Sequence, residues 1–238
     1  MIEVNSGVTF DLTDCKTTGK VTHGEDRLGR QTTGRAVDIG YGSSSTTATF
    51  NLWGGSITGN SSVDGGAVYL NREPSVLRMT GGVISGNTAT GCGGGVYIYR
   101  TGSVCDLSGG RIENNTAKTG GGIYINGSNS GKLNISGAPV VKNNTSSGRA
   151  NNVYLPSGKT LSIAGAMTDG AQIGVTTAVA PAVDAPVVFS GAYAADCSGF
   201  FSADEARYYP RYNAENKLEL AVITYAVTYR PGADGKGE

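Results

Sequence analysis

FNLWGGSITGN (50–60), LRMTGGVISGN (77–87) and CDLSGGRIENN (105–115) are three copies of one block, and LNISGAPVVKNN (133–144) is a fourth with one extra residue. Their closing asparagines, Asn60, Asn87, Asn115 and Asn144, stand 27, 28 and 29 residues apart. A second piece follows each block: GGAVYL (65–70), GGGVYI (93–98), GGGIYI (120–125) and ANNVYL (150–155). A fixed period of this length signals a stacked architecture, in which one repeat cannot bury its own apolar face and its neighbours must do so.

Within each unit the apolar residues fall two apart: Phe50 and Leu52, Leu77 and Met79, Cys105 and Leu107, Leu133 and Ile135. Asn51, Arg78, Asp106 and Asn134 lie between them, which is the alternation of a half-buried strand. A second short strand centres on Ile57, Ile84, Ile112 and Val141, and a third on Tyr69, Tyr97, Tyr124 and Tyr154. Gly, Asn and Ser separate the strands, as turns require. Three short strands per repeat and no helical period predict an all-β, right-handed parallel β-helix of about six to seven coils. A propeller blade needs four strands and about 40 residues or more. The division expected is coils over 1–178, a last coil and cap over 179–222, and the start of a linker or a following module over 223–238.

Composition limits the function classes. Glycine stands at 38 of 238 residues without a Gly-X-Y period, well above the usual share of about 7%. Lys and Arg number 19 against 19 Asp and Glu, so no basic stripe invites nucleic acid. No apolar run is long enough to insert this segment into a membrane. The first residues lack the basic and apolar regions of a signal peptide, which reads as an excised segment. The four cysteines, Cys15, Cys92, Cys105 and Cys197, show neither a disulfide framework nor metal spacing. Cys105 falls at an inward position. No cofactor or metal is expected.

The motifs GGAV, GGGV and GGGI, with ITGN, ISGN, IENN and VKNN, resemble the repeats of right-handed parallel β-helix proteins. They are similar in particular to the paired GGAI and FxxN repeats of chlamydial polymorphic outer-membrane adhesins, with Ile or Val in place of Phe. The likeness runs over roughly residues 8–175. At the C-terminus, YAVTYRPGADGKG is similar to the opening strand of the Listeria–Bacteroides, internalin-type B repeat. The resemblance implies an extracellular, adhesin-like domain on a bacterial cell surface, monomeric, with a host surface protein or glycan as partner. A structural stalk and a carbohydrate-active enzyme are the alternatives. Fold alone does not choose among them.

Three sets of residues are candidates. Asn60, Asn87, Asn115 and Asn144 are expected to stack as a structural ladder along one turn. Tyr69, Tyr97, Tyr124 and Tyr154, with Tyr99 on the same face, are expected to form an outward aromatic row, either a ligand-binding face or a cross-strand ladder. Trp53 holds the slot taken by Thr80, Ser108 and Ser136 in the other copies, so alternation sends it outward as an anchor or against residues 46–50. Catalysis finds little support. Glycoside hydrolysis needs two carboxyl groups about 5–10 Å apart, and the outward acids Asp38, Asp64, Asp106 and Glu113 are scattered. The only histidine is His23. The chain is therefore read as having no catalytic residues.

Overall fold

The computed structural model describes residues 1–13, 20–22, 34–41, 46–72, 74–191 and 196–224. Cys15, His23 and the segment resembling an internalin-type B repeat lie outside them. Among the described residues there is no α-helix, only one 3-10 turn at Ser198–Phe200. No helix there is long and apolar enough to cross a membrane.

The alternating block forms the first sheet. Thr9–Leu12, Ala48–Leu52, Ser75–Met79, Val104–Leu107, Lys132–Gly137, Ser162–Met167 and Ser190–Gly191 lie side by side in that order. Every neighbouring pair is parallel, and the register matches repeat to repeat: Phe50 pairs with Leu77, Leu77 with Cys105 and Cys105 with Leu133. The second strands, from Lys20–Val21 through Ser56–Thr58, Val83–Ser85 and Arg111–Glu113 to Val140–Lys142, form another parallel stack. The third runs from Ile2–Asn5 and Val37–Tyr41 through Val68–Leu70, Val96–Ile98 and Ile123–Ile125 to Val153–Leu155. The chain is a parallel β-solenoid of about six turns.

Side-chain period explains the core. From the first sheet Phe50, Leu52, Leu77, Met79, Cys105, Leu107, Leu133 and Ile135 point inward and are fully buried. They meet Ile57, Ile84, Ile112 and Val141 from the second sheet and the Val68, Val96, Ile123 and Val153 column from the third. Each such side chain contributes roughly 1.5–3 kcal/mol of burial. Cys105 sits in the core as a small apolar residue, and Cys92, Cys105 and Cys197 are free thiols.

Two glycine rules shape the turns. A Cβ at Gly81 or Gly109 would strike the carbonyl of Trp53 or Thr80 one coil back, so the Gly-Gly pair lets coils approach closely. The residue before each ladder asparagine takes a positive φ: Gly59 at 69°, Gly86 at 63°, Asn114 at 58° and Asn143 at 57°. Only Gly, or Asn with a local cost, occupies that region readily, which is why the block ends GN twice and then NN twice.

Two features depart from the three-strand expectation. A fourth, short parallel stack of Ser61–Ser62, Thr88–Cys92, Thr116–Thr119 and Thr145–Ser146 lies between the second and third strands, with Arg149–Ala150 added antiparallel. Its inward residues are the small Ala89 and Ala117, too weak an apolar signal to read as strand. In the next coil Gln172–Thr177 pairs with both the second and third stacks, joining them into one 13-stranded sheet. Beyond it, Phe201–Ala203 adds to this strand, and Val187–Val188, Tyr208–Tyr212 and Leu218–Val222 form a three-stranded antiparallel sheet. Phe189, Phe201, Leu218 and Leu220 close the apolar column at this end.

Candidate functional site

The asparagine corner is internal. Asn60, Asn87, Asn115 and Asn144 are almost wholly buried. Each Nδ2 donates to the Oδ1 of the next asparagine: Asn60 to Asn87, Asn87 to Asn115 and Asn115 to Asn144, all at 2.9 Å. The same Oδ1 atoms also accept the backbone N–H of the asparagine one coil back, at 3.0 Å. Each amide spends its remaining donor capacity on a carbonyl of the preceding coil, as Asn87 does on Ile57 and Asn115 on Ile84.

The ladder has a direction and therefore needs an acceptor at its end. Asn144 donates to Asn152 Oδ1 at 3.1 Å, and Asn152 Nδ2 donates to Asp204 Oδ1 at 2.5 Å. Asp204 Oδ2 accepts the Asn152 N–H at 2.7 Å and the Thr176 hydroxyl at 2.6 Å. An ionised carboxylate accepts without needing to donate, so it terminates the column with every group matched. The sequence expectation stopped at Asn144. Asn152 takes the next rung because the solenoid loses this corner where Gln172–Thr177 replaces two strands with one.

The tyrosine row occupies the outward side of the third stack. Tyr69, Tyr97, Tyr124 and Tyr154 are cross-strand partners in register. Their ring centroids are 5.3, 5.2 and 5.5 Å apart. Tyr99 folds back over the row, 5.5 Å from Tyr69 and 5.4 Å from Tyr97. Arg35 caps its lower end, with the guanidinium 4.1 Å from the Tyr69 centroid. Tyr97 Oη accepts Asn126 Nδ2 at 2.8 Å.

An exposed row is not what results. Tyr69 is 9% and Tyr97 6% exposed, while Tyr99, Tyr124 and Tyr154 are half-buried. Alternation gives the side of the sheet correctly, but the rings and the two overlying side chains cover one another. Burial pushes the Tyr69 phenol up to about 12 and the Tyr97 phenol higher still, despite the opposing Arg35 and Asn126 contacts.

Trp53 lies elsewhere, on the outer face of the first sheet, and is 53% exposed. It does not join the tyrosines. Its Nε1 donates to Asp11 Oδ1 at 3.4 Å, and Asn51 Nδ2 donates to the same oxygen at 2.6 Å. In the same outward row, Arg78 Nε lies 3.7 Å from Asp106 Oδ2, and Asn134 Nδ2 donates to Asp106 Oδ1 at 2.8 Å. Thr80 and Ser108 are exposed in the column that Trp53 begins.

The remaining outward acids are separately engaged. Glu113 takes two hydrogen bonds from Arg111, at 3.0 and 2.7 Å, which hold its carboxyl below the usual range. Asp64 accepts the Cys92 N–H at 2.7 Å. Asp38, at the tyrosine position of an earlier coil, accepts Arg35 at 3.1 Å and Asn71 at 3.3 Å through Oδ2. Burial raises the Asp38 carboxyl, and its Oδ1 is buried without a partner among the described residues. No group of three or more His, Cys, Asp or Glu able to hold a metal ion occurs among the described residues.

No protein-family model, curated protein or solved structure matches the chain.

Proposed function

We propose that the chain is an adhesin-like extracellular binding domain of a bacterial cell-surface protein, recognising a host protein or glycan without chemistry of its own. The observation that carries this reading is the outer face of the first sheet. There Trp53 is half-exposed with its Nε1 directed to Asp11, beside a row of hydrogen-bonding side chains on a parallel sheet. A large aromatic fixed on a rigid element is the usual anchor of a recognition surface. The repeat motifs similar to those of surface adhesins support the same reading.

A second reading is favoured by the tyrosine row. Those rings pack on each other and thereby stabilise the stack, as a spacer displaying neighbouring domains requires. A pull-down of host surface proteins paired with a glycan array separates the two. Trp53→Ala is the discriminating variant, since the exposed indole contributes little to the core. Capture lost in Trp53→Ala supports recognition at this face. No capture by the folded domain supports the spacer. Depolymerisation of a polysaccharide, abolished by Asp106→Asn, would replace both readings with an enzyme.

A further inference from the structure

Resting on the recognition reading, we propose that the first-sheet face binds a neutral oligosaccharide lying along the solenoid axis, with one pyranose ring stacked on Trp53. The parallel register carries the geometry. Asp11, Asn51, Arg78, Asp106 and Asn134 are successive cross-strand partners, so one polar side chain recurs at each step of about 4.8 Å. That rise is close to the length of one sugar unit. Trp53 stands at the lower end of the adjoining column, and the exposed Thr80 and Ser108 continue it upward. A chain of rings following this column meets a stacking platform first and hydroxyl partners at the coils above.

The chemistry of the row selects a neutral ligand. The apolar face of a pyranose suits an indole, whose polar N–H is already committed to Asp11. Arg78 is balanced by Asp106, so the face presents donors and acceptors together without the excess positive charge that a uronate or sulfate would need. Asn51, half-buried next to Trp53, donates through Nδ2 to the same Asp11 oxygen that meets the indole N–H, which ties the polar row to the stacking platform.

Trp53 is the only tryptophan in the chain, so intrinsic fluorescence reports this site alone. The experiment titrates the domain with cellohexaose, mannohexaose, maltohexaose and, as the acidic counterpart, hexagalacturonate. Emission is followed in the wild type, and calorimetry compares it with Trp53→Ala, Arg78→Ala and Asn134→Ala. Circular dichroism confirms the fold of each variant. The expected result is saturable binding of a neutral hexasaccharide with shifted Trp53 emission and protection from iodide quenching. A disaccharide and the Trp53→Ala variant each lose at least about tenfold in affinity, and Arg78→Ala and Asn134→Ala lose less. Binding that leaves Trp53 emission unchanged, or that favours hexagalacturonate, overturns the proposal. So does a Trp53-dependent host protein whose capture survives enzymatic deglycosylation, although that outcome keeps the recognition reading. No binding of any saccharide and no captured partner overturns both.

Discussion

The asparagine corner and the tyrosine row repeat once per coil in the same register, yet they differ in what each rung needs. An asparagine rung is an obligatory link. Its Oδ1 serves two donors of the coil below, and its Nδ2 depends on acceptors on both sides. A tyrosine rung is chiefly a packing partner, in contact with its neighbouring rings, with the Tyr97 phenol accepting from Asn126 and the Tyr124 phenol hydrogen-bonded to Cys92. Buried polar columns fail sharply when a group is left unmatched. Stacked aromatic columns fail gradually, by about 0.5–1.5 kcal/mol per ring pair beyond their burial. The fold therefore has a brittle inner seam and a compliant outer one.

The largest expected effect lies at the seam. Asn115→Ala removes the acceptor of the Asn87 N–H, one acceptor of the Asn87 Nδ2, and the side-chain donor to the Ile84 carbonyl and to Asn144 Oδ1 in one step. A loss of about 3–5 kcal/mol is expected, at the upper end for a point mutation, measured by urea unfolding. Asn115→Asp is expected to be no better, since it buries a charge and deletes the donor that continues the column. If either variant loses less than about 1 kcal/mol, the corner is not the brittle element.

Next comes the row itself. Tyr97→Ala removes the central ring, which contacts Tyr69, Tyr99 and Tyr124. A loss of about 2–3 kcal/mol is expected, and Tyr97→Phe is expected to cost about 1 kcal/mol for the hydrogen bond from Asn126. Equal costs for Tyr97→Ala and Asn115→Ala in the same urea series would erase the contrast between the seams.

A smaller effect belongs to the ladder's end. Asp204→Asn keeps one acceptor but turns an amide toward donors already present, the Asn152 N–H, its Nδ2 and the Thr176 hydroxyl. About 1–2 kcal/mol is expected from the mismatch. A neutral outcome would show that water can end the column as well as a carboxylate does.

These features were not equally legible in the sequence. The inward column of Phe50, Leu77, Cys105 and Leu133 and the corner from Asn60 to Asn144 were readable because each recurs in the same slot of a fixed period. Asn152 and Asp204 were not, because they join the ladder at sequence offsets of 8 and 52 residues rather than one coil. The outward side of the tyrosines and of Trp53 followed from alternation alone. Their exposure did not, because it depends on what lies over them: Arg35 and Tyr99 cover the tyrosines, while Trp53, with its Nε1 directed to Asp11, stays 53% exposed. Periodicity fixes which face a residue takes and says little about its covering neighbours.

The subtlest way to sharpen the contrast is with alkali. The Tyr69 phenol is raised from its ordinary 10.0 to about 12, chiefly because burial in the row disfavours the phenolate. A raised folded pKa means that the native state holds this proton more tightly than the unfolded chain does. Its contribution is therefore intact below pH 10 and declines as pH rises from 10 toward 12. Asparagine side chains do not titrate, so the inner seam has no counterpart to this loss. Stability of the wild type is expected to fall over that window, with phenolate absorbance lagging behind that of a free tyrosine. Tyr69→Phe, which keeps the ring over its neighbours and beneath Arg35, is expected to flatten the decline. If the decline is unchanged in Tyr69→Phe, the alkaline weakness arises outside the lower rung of the row, and the compliant seam is less buried in solution than its stacked rings imply.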